Sequence, residues 1–146
     1  MWNPPDPDTF FPLVWLIAKQ IPEGHVMTYG QIAAMIPPPD DVEPPKYDRL
    51  GARWVGQAMN NTPSGKGIPW QRVINSKGGI SLPGQAAQQQ RGLLESEGVE
   101  FNDKDLIDFE RYGWDGPGDD WLAEHGFYKP PSMKKPPGSS TQMSLF

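Results

Sequence analysis

The chain has 146 residues, a net charge of −5 and no cysteine. This length suits one domain with a modest core, and the lack of cysteine excludes disulfides, thiolate zinc sites and a cysteine nucleophile. The two histidines, His25 and His125, lack metal-ligand spacing, and no phosphate loop or dinucleotide fingerprint is present, so no metal and no cofactor is expected. The longest apolar run, Leu13 to Ala18, is too short to span a bilayer. The acidic, Pro-rich start lacks a signal-peptide pattern, and the expectation is a soluble cytoplasmic protein. Charge is unevenly spread. From Lys46 to Arg91 there are seven Lys/Arg against one acid, whereas Gly92 to Tyr128 holds two bases and eleven acids. A basic middle between acidic flanks suits a protein that grips a polyanion with one face. Clustering on a solvated surface is the plainer alternative.

Residues 1–9 read as a flexible Pro/Asp leader. Phe10, Leu13, Val14, Ile17 and Ile21 recur at helical spacing, with Thr9 or Asp8 as a cap, and predict a helix over 10–21. Thr28 with Gln31 three residues later forms a capping-box pattern ahead of a short helix that buries Ile32, Met35 and Ile36. The segment from Pro37 to Leu50, with five prolines and four acids, reads as an exposed loop. A helix follows over 51–61, with Val55, Ala58 and Met59 inward and Arg53, Trp54 and Gln57 outward. Gly56 costs this helix about 1 kcal/mol relative to Ala, which suggests that something approaches it closely. Arg72-Val73-Ile74, the turn Asn75 to Gly79, and Ile80-Ser81 predict a β-hairpin. Another helix runs to Leu94 or Glu95 and stops at Gly98, and one helical turn is expected around Trp121-Leu122. The tail from Pro130, rich in Pro, Gly and Ser, reads as disordered. The fold class is mainly α: a winged helix-turn-helix-like domain with a short β-hairpin. Such a fold does not by itself establish DNA binding.

Four stretches, "IPEGHVMTYGQIA", "ARWVGQAMNN", "IPWQRVINSKGGIS" and "LLESEGVEF", together resemble the DNA-binding domain of the O6-alkylguanine-DNA alkyltransferases. Those enzymes carry Pro-Cys-His-Arg-Val where this chain has Pro69-Trp70-Gln71-Arg72-Val73. The chain is therefore more similar to the alkyltransferase-like proteins, in which another residue replaces the reactive cysteine. The resemblance divides the chain into a DNA-binding domain over 10–112, a C-terminal extension over 113–130 and a tail over 131–146.

The resemblance implies a non-enzymatic protein that binds double-stranded DNA, flips O6-alkylguanine and signals it to nucleotide excision repair. In the enzymes the cysteine accepts the alkyl group and the histidine helps to deprotonate it. Trp70 has no useful nucleophilic atom and Gln71 no group that titrates near neutrality. By the same resemblance Arg53 enters the base stack in place of the flipped nucleotide, Tyr29 crowds the target phosphate, and small Ala52 and Gly56 admit the helix to the minor groove. Thr28, Gln31 and Ser76 are candidate phosphate contacts. Tyr29, Trp70 and Arg72 are the candidate alkylguanine pocket, with Arg72 supporting it from behind. Trp70 can equally serve as a loop anchor. The rival functions are a sequence-specific transcriptional regulator and an enzyme that removes alkyl groups without cysteine.

The C-terminal "QMSLF" resembles the short peptide by which bacterial repair and replication proteins bind the sliding clamp. It implies that Leu145 and Phe146 fill an apolar pocket of that partner while Gln142 supplies an orienting hydrogen bond.

Overall fold

The computed structural model describes residues 6–134, and the candidate clamp peptide with Gln142, Leu145 and Phe146 lies outside them. Helix α1 spans Pro7–Ala18 and starts three residues earlier than its apolar spacing predicts. Asp6 caps it by accepting from the Asp8 amide, and Pro7 in the first turn needs no partner for a missing N–H. Residues 7–9 thus belong to the helix and not to a leader. The apolar face reads as expected, with Phe10, Val14, Ile17 and Ile21 all buried.

Strand β1, Met27–Thr28, leads directly into helix α2, Tyr29–Met35. The capping box forms in full: Thr28 Oγ1 accepts from the Gln31 amide at 3.0 Å, and Gln31 Oε1 accepts from the Thr28 amide at 2.9 Å.

Helix α3, Pro44–Asn60, is seven residues longer at its start than the sequence suggests. Two prolines are tolerated in the first turn because the first amides of a helix have no intrahelical acceptor. The longer helix buries Tyr47, Gly51, Trp54, Val55 and Ala58, a spacing of four, three, one and three that makes one continuous face. Trp54 is therefore inside, contrary to the outward orientation read from the shorter helix, and its ring lies 6.1 Å from that of Tyr47. Tyr47 donates to the Ala33 carbonyl at 2.8 Å and locks α3 to α2. Gly51 permits the approach, since a Cβ there would lie 3.1 Å from that of Ala33.

The two-stranded sheet exists, but it is not the expected hairpin. Strand β2, Val73–Ile74, pairs in parallel with β1, Met27 opposite Val73 and Thr28 opposite Ile74. The turn after β2 closes as its residue types suggest. Asn75 Oδ1 accepts from the amides of Lys77 and Gly79, and the Asn75 amide donates to Gly79 O. The returning arm then ends without a strand. The Gly78 carbonyl instead accepts from the Ile107 amide at 2.8 Å. Gly78 has φ +91°, and a Cβ would lie 2.6 Å from Ile107 O, so this contact requires glycine.

Helix α4, Gly84–Ser96, comes next, then two short helices, α5 (Phe109–Tyr112) and α6 (Asp119–His125). The sheet separates two apolar clusters. Met27 and Val73 face the cluster built on α1, α2 and α3. Val26 and Ile74 face a smaller one with Leu94, Val99, Ile107 and Tyr112. Alternation along a strand puts neighbours on opposite faces. The segment 113–130 runs from the smaller cluster back onto the larger one: the Trp114 amide donates to Val26 O, Leu122 and Phe127 are buried in the larger cluster, and the Tyr128 amide donates to Met35 O. Residues 131–134, assigned to the tail by composition, are also engaged, since Gln31 Nε2 donates to Pro131 O at 2.8 Å and Ser132 Oγ to Asp115 at 2.7 Å.

Thr28→Ala removes the cap of α2 at a buried position. It should lower unfolding free energy by about 1–2 kcal/mol, read as an earlier urea midpoint at unchanged slope.

Candidate nucleic-acid interface

Tyr29 and Asn75 both stand directly beyond the C-terminal ends of the paired strands. The parallel register therefore sets the start of α2 beside the turn after β2. Between them opens a groove of about 970 Å³. One lip is Tyr29 and Gly30 with Ala52, Arg53, Gly56, Gln57 and Asn60 of α3, and the other is Asn75, Ser76 and the segment Ser81 to Pro83. Tyr29, Ala52, Arg53, Gly56 and Ser76, singled out in the sequence, are thus brought together here.

Arg53 is exposed, and no ion pair among the described residues engages it. A Cβ at Gly56 would meet only Tyr29 Cδ1, at 4.0 Å, which is ordinary contact. Nothing in the folded chain therefore requires glycine at this position, unlike Gly51. Tyr29 is half-buried, and this burial pushes its hydroxyl above the usual phenol range, so it remains a neutral donor and acceptor at physiological pH.

Thr28 and Gln31 are placed differently from the expectation. Both are buried, and their side chains are committed to the capping box and to the Trp114 and Pro131 carbonyls. A phosphate approaching the groove does not meet them. Their contribution is to fix the first turn of α2, and through it Tyr29.

Trp70 and Arg72 also stand off the groove. They belong to a 3₁₀ turn, Trp70–Arg72, that enters β2 from the end opposite Tyr29. Trp70 is half-buried. Arg72 is held by Glu97, with Nε on Oε1 at 2.9 Å and Nη2 on Oε2 at 3.0 Å, while Nη1 donates to Ile21 O at 2.8 Å. Gln71 Nε2 adds a bond to Glu97 Oε2 at 2.8 Å, and the Gly24 amide donates to Oε1 at 3.1 Å. Buried Gln90 of α4 holds the same turn through its backbone, donating to the carbonyls of Gln71 and Val73, each at 3.0 Å. Arg72 is thus a brace behind the turn and not a pocket wall.

Burial alone would raise the Glu97 carboxyl, but the hydrogen bonds from Arg72, Gln71 and the Gly24 amide, with the attraction of the Arg72 charge, outweigh it and hold the group below the usual carboxylate range. Glu97 and Gln90 carry no local sequence signal, because their partners are 25 and 17 residues away or more. Gln57 and Asn60 were legible in principle, lying four and seven residues beyond Arg53 on one helical face.

The chain belongs to the family described as "6-O-methylguanine DNA methyltransferase, DNA binding domain", which matches residues 9–99. Among its relatives is the DNA base-flipping protein of Vibrio parahaemolyticus, 41% identical over 107 residues, an alignment that covers 73% of this chain and 97% of that protein. Alkyltransferase-like protein 1 of Schizosaccharomyces pombe is 40% identical over 105 residues, with 70% of this chain and 88% of the relative covered. The fold is similar to that of S. pombe Atl1 in its crystal structure with damaged DNA containing O6-carboxymethylguanine, at a TM-score of 0.55 and 35% identity over 73% of this chain and 95% of that one.

A group with a lowered folded-state pKa stabilises above its unfolded pKa, and that contribution is lost as pH falls through the folded value. Glu97 should therefore support the fold at neutral pH and lose that contribution progressively as pH falls below the ordinary glutamate range and through its own lowered value. Glu97→Gln should be less stable than the parent at pH 7, with the difference shrinking towards pH 3 in urea titrations.

Proposed function

We propose that this chain binds double-stranded DNA, turns O6-alkylguanine out of the helix and holds it without removing the alkyl group. The observation that carries the reading is the groove beside α3, where Arg53, which no ion pair among the described residues engages, stands between Ala52 and Gly56, a glycine that the fold itself does not require. Small residues let a helix approach a nucleic-acid groove, and a guanidinium can occupy the space and hydrogen-bond the base left by a flipped nucleotide. Tyr29, on the same lip, would crowd a phosphate, and Ser76, on the other lip, would donate to one. The names of the relatives, a DNA base-flipping protein and an alkyltransferase-like protein, agree with this function.

The absence of alkyl transfer follows from the residues at the nucleophile motif. The chain has no cysteine, and Gln71, where the enzymes have histidine, spends its amide on Glu97. Trp70, half-buried on a braced turn outside the groove, would supply an indole for stacking against an extruded purine. A lesion that is bound but unchanged must be handed on, and nucleotide excision is the repair class that removes such a nucleotide with its neighbours. The clamp peptide Gln142 to Phe146 would keep the protein near replicating DNA by raising its effective concentration there.

Titration of matched duplexes containing guanine or O6-methylguanine tests the central reading: tighter binding of the modified duplex is expected, and equal affinity would exclude it in favour of a regulator. Appearance of unmodified guanine in the bound duplex would instead indicate an enzyme. Arg53→Ala should abolish the fluorescence rise of 2-aminopurine at the target position with the fold intact. Trp70→Ala should reduce the preference for the modified base by about 1–3 kcal/mol. Deleting residues 142–146 should remove clamp binding in calorimetry and leave affinity for a short duplex unchanged.

A further inference from the structure

The groove takes in only the second half of α3. Arg53, Gln57 and Asn60 line it, but the helix continues two turns before Arg53. At about 100° per residue, Lys46, Arg49, Arg53, Gln57 and Asn60 fall within an arc of about 80° centred on Arg53. This is the face opposite the buried stripe of Tyr47, Gly51, Trp54, Val55 and Ala58. Lys46 and Arg49 are exposed, and no ion pair among the described residues engages either. Two other arginines of the basic middle are neutralised internally: Arg72 by Glu97 and Arg91 by Asp105 and Glu95.

Among the described residues no ion pair accounts for these two cations. Lys46 lies in the first turn of α3, which holds no acid, where a positive charge opposes the helix dipole. The one acid of this segment, Asp48, falls about 140° round the helix from Arg53, off the stripe. The exposed acids Asp40, Asp41 and Glu43 stand just before the helix and set a boundary to any surface that accepts a polyanion.

We infer that Lys46 and Arg49 extend the DNA interface beyond the groove as a second set of contacts to the phosphate backbone on one side of the flipped base. The helix rises about 10 Å from Arg53 back to Lys46, the length of about three base pairs. The interface is then asymmetric about Arg53: small and hydrogen-bonding residues towards Asn60, cations towards Lys46. The inference rests on the proposed reading of the groove as a DNA site. It adds the placement of sequence-independent affinity on a helical segment that, by composition, reads as a loop.

The test is fluorescence anisotropy of wild type and Lys46→Ala/Arg49→Ala on unmodified and O6-methylguanine duplexes between about 50 and 200 mM salt, where each phosphate contact contributes about 0.9 to the slope of log K against log salt. The double variant should therefore lose about 1.8 from that slope on both duplexes, with the ratio of the two affinities unchanged. Lys104→Ala, in the acidic stretch from Gly92 to Tyr128, should leave the slope as it is. A second measurement needs no variant: shortening the duplex by about three base pairs on one flank of the lesion should weaken wild-type binding more than shortening the other flank. An unchanged slope in the double variant with native circular dichroism, or equal sensitivity to the two truncations, overturns the inference and leaves lesion recognition standing. Wild-type protein that binds the two duplexes equally overturns lesion recognition while the slope still reports on Lys46 and Arg49. Wild-type protein that binds neither duplex removes both.

Discussion

Two residues of parallel strand pairing organise this molecule. Met27–Thr28 and Val73–Ile74 run in the same direction, so the chain must travel through α2, α3 and the Pro69 loop before it can return to the starting end of the sheet. Both strands then end together. Their successors in the chain, Tyr29 on one side and Asn75-Ser76 on the other, are delivered to the same place. Larger parallel sheets bind ligands beyond the carboxyl ends of their strands for the same topological reason. Here the principle is reduced to its smallest form, and the groove is its outcome.

At the other end of the pair the constraint is polar. The Glu97 carboxylate receives the Gly24 amide, the Gln71 amide and two nitrogens of Arg72, and so joins the entry to β1, the turn before β2 and the end of α4. A carboxylate satisfied this fully keeps its charge in a partly buried position because every lone pair is used. The same bonds remove the freedom of Gln71 and Arg72. Both side chains are committed to bracing the turn ahead of β2.

The sequence is legible wherever local spacing decides structure. The apolar faces of α1 and α2, the Thr28–Gln31 capping box and the closed turn at Asn75 all depend on partners within a few residues. It misleads at Pro44-Pro45, where prolines that break a helix interior instead open one. From that single point the burial of Trp54 and Tyr47 is misplaced as well. A hairpin is the wrong expectation because β2 finds its partner 46 residues earlier in the chain, a choice that no local pattern encodes. Of the groove residues, those on α3 can be grouped by helical period. Ser81, Leu82 and Pro83 cannot, because their position depends on the Gly78–Ile107 contact.

That contact also gives the two lips of the groove different footings. The lip formed by α2 and α3 rests on the larger apolar cluster, with Ile32, Met35 and Val55 beneath it. The lip formed by the turn after β2 is pinned to Ile107, which belongs to the smaller cluster with Leu94 and Val99. The two clusters face each other across a sheet two residues deep, a seam for subglobal opening. A polymer seated across both lips is a cross-brace between the halves. Its binding energy is then shared with the cohesion of the domain, and amide exchange in the smaller cluster should slow in step with exchange in α3.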